Sequence, residues 1–166
     1  MLTTLATAAL AIIATLLGAI VSGRYQERAA ERSVRVTHGE TIRRARLESV
    51  TALACAASDH RRALWMRGDA VLKNAPTERV ETLRGESHMT RSAITRPLVA
   101  LRVLVEDQTV RAAADHMITL TYAIRNAHAT TEELTAAREA AKNAHDDFVN
   151  AAARYLRPAS THPTFE

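Results

Sequence analysis

The segment Leu2 to Gly23, LTTLATAALAIIATLLGAIVSG, carries no charged side chain, and its only polar residues are Thr3, Thr4, Thr7, Thr15 and Ser22. As a helix rising about 1.5 Å per residue it reaches roughly 30 Å, the thickness of a bilayer's hydrocarbon core. It is expected to be a transmembrane helix. From Arg24 onward charges recur every few residues, and no second uncharged run of comparable length follows. A cleavable signal peptide would need a basic start, a shorter apolar region and a small-x-small exit. Only the α-amino group of Met1 precedes this run, and Val21-Ser22-Gly23 is a poor cleavage site. A buried helix of a water-soluble core rarely holds so long an uncharged stretch.

The flanks set an orientation. Arg24, Arg28, Arg32 and Arg35 follow the run directly, and Arg43, Arg44 and Arg46 come a little later, whereas nothing basic but the terminus precedes it. Basic flanks stay on the cytoplasmic side, so the N-terminus is expected outside and the C-terminal domain in the cytoplasm, on a single-pass cell-membrane protein. Within the run, Ala14, Gly18 and Ser22 form a line of small residues, a possible helix–helix face through which the chain forms a homo-oligomer. The net charge of +4 invites a nucleic-acid reading. Yet Arg24 to Glu48 alone holds seven Arg against four acids, so most of the excess is a topology signal and a membrane-proximal basic contact for lipid headgroups. Nucleic acid is therefore not the expected partner.

Beyond the span, the expected class is all-α. Gly and Pro are scarce, and alanine is abundant while aromatics make up 4% of the chain, so the core should be thin and built by closely spaced helices. Residues 24–39 form a juxtamembrane Arg/Glu-rich helix in which acids and arginines alternate at helical spacing. Val34 to Gly39 is its weak point, with Thr37 and Glu40 placed as a capping box. Residues 40–157 carry the patterns of an antiparallel three- or four-helix bundle, and residues 158–166 a disordered tail.

The first bundle pattern places Leu47, Val50, Leu53, Ala54, Ala57, Leu64, Gly68, Val71 and Leu72 on one stripe. Asn74-Ala75-Pro76-Thr77 must turn. The next pattern, Val80 to Val105, contains Pro97, which predicts a kink or two shorter helices. Glu106-Asp107-Gln108 begins a helix burying Val110, Ala114, Met117 and Ile124. Thr130-x-x-Glu133 caps the last one, where Leu134, Ala137, Ala141, Ala144, Phe148, Ala151 and Tyr155 keep a regular spacing. Pro158 ends it.

Catalytic and cofactor signatures are absent from the sequence. The seven histidines form neither His-Glu-x-x-His nor Glu-x-x-His, and the single Cys55 rules out an internal disulfide and a multi-cysteine metal site. No phosphate-binding loop, dinucleotide fingerprint or nucleophile elbow occurs. No catalytic residue, cofactor or metal is therefore expected. Arg61, Arg62 and Trp65, close together on one helix, are a possible partner contact, with core packing the plainer role for Trp65.

The uncharged N-terminal helix, the string Gly39-Glu40-Thr41-Ile42-Arg43-Arg44-Ala45-Arg46-Leu47-Glu48 and the later Leu101-Arg102-Val103-Leu104-Val105-Glu106-Asp107 together resemble the KilB-like proteins of conjugative actinomycete plasmids. The resemblance covers most of the chain. It implies a small membrane-associated protein linked to plasmid spread between mycelial compartments and to a Kil/Kor toxicity and repression system, with no catalytic residues to transfer. The expected function is that of a non-enzymatic membrane accessory protein whose helical domain makes protein contacts, with transfer machinery as the possible partner. A membrane-active toxin or lysis factor and a membrane-tethered nucleic-acid binder are the alternatives.

Overall fold

The computed structural model describes residues 2–157, with side chains from residue 37 onward. Four helices follow in order: α1 (Leu2–Leu72), α2 (Thr77–Leu104), α3 (Gln108–Ala123) and α4 (Thr131–Leu156), with a short 3-10 turn at Ile124–Asn126 between the last two. No strand occurs among the described residues. The chain divides into two compact units, residues 1–42 and 43–166. The expected span Leu2–Gly23, the small-residue line Ala14, Gly18 and Ser22, the basic flank Arg24, Arg28, Arg32 and Arg35, and the tail 158–166 lie outside the residues with described side chains. Among the described residues no helix is long and apolar enough to cross a membrane.

In the first unit, α1 passes through Gly39 without interruption. Thr37 and Glu40 do not start a new helix. The Thr37 carbonyl instead accepts a hydrogen bond from Thr41 Oγ1 at 2.8 Å, a bond inside a continuous helix. One exposed glycine costs about 1 kcal/mol in a helix interior, too little to end a helix already propagating on both sides.

The second unit is an up-down-up-down bundle, and its pairings fix the directions. Arg46 of α1 meets Leu104 of α2, while His60 meets Thr90, so α1 and α2 run antiparallel. Arg102 of α2 meets Asp115 of α3, and Arg91 meets Tyr122, again antiparallel. Along α4, Tyr155 lies under Arg46 and Arg138 lies over Trp65, which sets α4 antiparallel to α1. Short connections leave neighbouring helices no other arrangement. The first turn follows α1 at Lys73–Pro76, where Asn74 adopts φ 50°, a left-handed conformation that asparagine tolerates.

The larger core cluster joins Leu53 and Ala57 of α1, Ile94 and Leu101 of α2, Ala114 and Met117 of α3, and Ala144 and Phe148 of α4. A smaller one gathers Leu64, Ile124, Leu134 and Ala141. Each large buried side chain here contributes about 1.5–3 kcal/mol of apolar burial. The alanines let the helices approach, and at Gly68 the approach is close: a β-carbon there would lie 2.8 Å from Leu134 Cδ1.

Two expectations are corrected. Leu47, assigned to the buried stripe, is 54% exposed, because no element covers the face of α1 that it shares with Thr51 and Cys55, and Val71 of the same stripe is 37% exposed in the last turn of α1. Of the two outcomes open at Pro97, division into two shorter helices does not occur, since α2 is one helix with the proline inside it. Ile94 and Leu101 are buried on either side of Pro97, and their packing holds the helix across the missing hydrogen bond. The helix starts follow the sequence signals. Asp107 accepts from the Val110 amide at 2.9 Å and Thr130 from the Glu133 amide at 3.1 Å.

Candidate functional site

Two concavities in the bundle differ in chemistry. The first is an open-mouthed cavity of about 220 Å³ between α1, α2 and the α3 end. Helix α1 supplies His60, Leu64 and Arg67, which recur at four and three and so share one face. Helix α2 supplies Arg84, Ser87, His88 and Arg91, again one face. Tyr122, Arg125 and Asn126 close it from the end of α3. Four guanidinium groups and two imidazoles therefore line a cavity to which no carboxylate contributes.

The floor of this cavity is ordered by hydrogen bonds and ring contacts. His60, only 3% exposed, has Nδ1 2.9 Å from Thr90 Oγ1. The Thr90 hydroxyl reaches the carbonyls of Glu86 and Ser87, both at 3.1 Å. Assigning its single proton to those carbonyls leaves Oγ1 to accept from His60 Nδ1–H, with the imidazole neutral. Burial, together with the positive fields of Arg91 and His88, lowers the His60 pKa from 6.5 to about 4. The His60 ring meets Tyr122 edge-on at 5.5 Å, and the Arg91 guanidinium lies over the same Tyr122 ring at 4.9 Å. Arg84 reaches Glu81 at 3.5 Å on the exposed side. Among the described residues no hydrogen bond or ion pair engages Arg67, Arg91 or Arg125.

The second concavity is an apolar groove of about 460 Å³ between α1 and α4. Small residues line most of it, Ala54, Cys55 and Ser58 on α1 and Ala152 and Ala153 on α4, with the buried Val50 beneath them. Leu47, 54% exposed, and Val149, 40% exposed, form its rims. Small floors with larger rims admit the close approach of another apolar side-chain row.

The residues singled out in the sequence are distributed as follows. Arg61 and Trp65 come together on the α4 side of α1, and Arg62 is exposed. The cation over Trp65 is Arg138 of α4, at 4.6 Å, rather than a neighbour on its own helix. Arg61 donates from Nη2 to Ser58 Oγ at 3.2 Å, while its buried Nη1 has no partner. Burial lowers the Arg61 pKa, opposed by Asp146 and Glu139 and aided by Arg138. Arg46 serves the bundle, donating from Nε to the Leu104 carbonyl at 2.8 Å. With Arg111, which donates to the carbonyls of Val105 and Arg102, it satisfies the free carbonyls at the α2 end. Arg44 pairs with Glu48 at 3.2 Å in solvent, and Arg43 and Arg46 line a hollow with Tyr155 and Arg157.

Sequence reasoning missed the arginine-lined cavity because its members lie on three helices. The signal was present on each one: Arg84, Ser87, His88 and Arg91 recur at helical spacing, as do His60, Leu64 and Arg67. Only the bundle brings the two rows face to face. Among the described residues no group of three or more His, Cys, Asp or Glu is placed to hold a metal ion.

Residues 47–156, the stretch that holds every residue of both concavities, match the family described as KilB plasmid transfer protein. No solved structure matches the chain. It is 41% identical over 148 residues to Protein KilB of Streptomyces lividans, an alignment covering 89% of this chain and 96% of that protein. Both likenesses run the length of the bundle, and the chain belongs to the KilB plasmid transfer protein family.

Proposed function

We propose that this chain is a non-enzymatic accessory protein of conjugative plasmid transfer and spread, anchored once in the cell membrane by Leu2–Gly23, whose helical bundle acts through protein contacts in the cytoplasm. The observation that carries this reading is the 41% identity to Protein KilB over nearly the whole of both chains. The uncharged run and its one-sided arginine flank support the anchor and its direction. The α1–α4 groove supports the contact role, because Leu47 and Val149 leave apolar surface exposed over a floor of small residues where a helix of a transfer protein fits.

The test uses a conjugative plasmid lacking this gene and supplied with the full chain in trans. Wild-type protein restores transfer and spread. The double variant Leu47→Glu with Val149→Glu, which places charge on two exposed positions, is expected to reduce restoration about tenfold or more while leaving helix content and membrane recovery unchanged. Full restoration by that variant removes the contact role of the groove. Normal transfer by the plasmid lacking the gene removes the transfer role altogether.

A further inference from the structure

The geometry points to the cavity between α1, α2 and the α3 end as a binding site for a phosphate-bearing anion. Arg67, Arg84, Arg91 and Arg125 line one open-mouthed cavity of about 220 Å³, and no carboxylate lines it. Like charges gathered on three separate helices repel one another, and an anion seated between them relieves that repulsion. Surface arginines ordinarily point apart into water or pair with acids, as Arg44 does with Glu48 and Arg102 with Asp115. Of these four, among the described residues, Arg84 alone forms an ion pair with an acid, with Glu81 on the exposed side.

The supporting groups match the same chemistry. Arg91 is held in place by the Tyr122 ring at 4.9 Å, so part of the entropy of ordering its long side chain is already lost before a ligand arrives. Tyr122 is in turn fixed by the edge of His60, and His60 by Thr90. The planar fork of an arginine suits two oxygens of one phosphate, and several forks suit a group that carries more than one charge. The side-chain amide of Asn126 adds donors without charge. A volume of about 220 Å³ holds a phosphate or diphosphate group but not a whole nucleotide, so the remainder of a larger ligand projects from the mouth. The ligand chemistry is therefore a phosphomonoester or diphosphate, available either from a soluble metabolite or from the headgroup of phosphatidic acid.

The test is made on the full chain in phosphatidylcholine nanodiscs. Calorimetric titration with inorganic diphosphate forms the soluble arm, and nanodiscs with added phosphatidic acid, in which diphosphate is titrated as a competitor, form the lipid arm. Saturable diphosphate binding at one site per chain is expected. Arg91→Ala weakens it by at least about tenfold, and so does Arg125→Ala, whose exposed position on the 3-10 turn keeps the core intact. Arg96→Ala, an exposed arginine on another face of α2, leaves the affinity within about twofold. Weaker diphosphate binding in the presence of phosphatidic acid, lost in Arg91→Ala, assigns the site to the headgroup; unchanged binding assigns it to a soluble phosphate. Absence of binding at low salt overturns the inference. Equal weakening by Arg96→Ala and Arg91→Ala overturns it as well, since the attraction would then be general charge, and so does displacement of diphosphate by a short DNA duplex with the same Arg96 dependence.

Discussion

At the scale of a residue, His60 shows how burial turns an ordinary side chain into a pH-dependent element of stability. Its pKa falls from 6.5 to about 4, first through burial and then through the positive charges of Arg91 and His88 on α2. Above pH 6.5 the imidazole is neutral in both the folded and unfolded chain, and its stabilising contribution is complete. As pH falls from 6.5 toward 4 the unfolded chain takes up a proton that the folded chain refuses, so stability declines by about 2–3 kcal/mol across that window. Urea denaturation of the full chain in detergent, compared with His60→Gln, isolates this term from carboxylate titration. The wild-type advantage is expected to shrink steadily from pH 7 to 4.5, and a difference that stays constant over that range would count against the assignment. None of this was legible in the sequence. Seven histidines were judged there by the motifs they fail to make, whereas the environment of His60 comes from Thr90 and Arg91 on a second helix and Tyr122 on a third.

At the scale of an element, the helix starts at Gln108 and Thr131 were readable, the one proposed at Thr37 was not, and the helix interiors were less so. Thr130 and Asp107 could be identified because a cap is a local device: a short polar side chain and an amide three residues on suffice. Pro97 left open whether its segment divides, because its cost is local too, while its compensation, the burial of Ile94 and Leu101, is tertiary. The glycines make the same distinction testable. Around Gly85, exposed on α2, nothing lies within 4 Å of an added β-carbon, so Gly85→Ala gains helix propensity without obstruction and is expected to raise stability by about 1 kcal/mol. At Gly68 the added carbon would meet Leu134 Cδ1 at 2.8 Å, and Leu134 is buried with little room to turn. Gly68→Ala is therefore expected to show none of the Gly85 gain, because displacing a packed leucine offsets the propensity term. Chemical denaturation of the two variants side by side decides the matter: an equal gain at both positions would mean that α1 and α4 do not approach at Gly68 as described.

At the scale of the whole molecule, an antiparallel bundle of three or four helices was open to a reader of the sequence, because turns and caps separate its amphipathic patterns. Which rows face one another was not, and so neither the arginine-lined cavity nor the exposed groove could be assembled from periodicity. The proposed position of the bundle relative to the membrane rests on a different kind of signal, the asymmetry of arginines around Leu2–Gly23. Cys55 makes that asymmetry measurable. It is the single cysteine of the chain and is exposed in the groove, where a maleimide can reach it. With the N-terminus outside and the bundle in the cytoplasm, a membrane-impermeant maleimide leaves Cys55 unlabelled in intact protoplasts and labels it after lysis, and Cys55→Ser gives no signal in either state. Equal labelling before and after lysis would reverse the orientation, and recovery of the unlabelled chain from the supernatant of lysed cells would remove the anchor. The same reagent extends to the groove. If a transfer protein occupies it in donor cells, labelling after gentle lysis is slower than in purified chain, and the Leu47→Glu, Val149→Glu variant abolishes that protection while leaving the protoplast result unchanged.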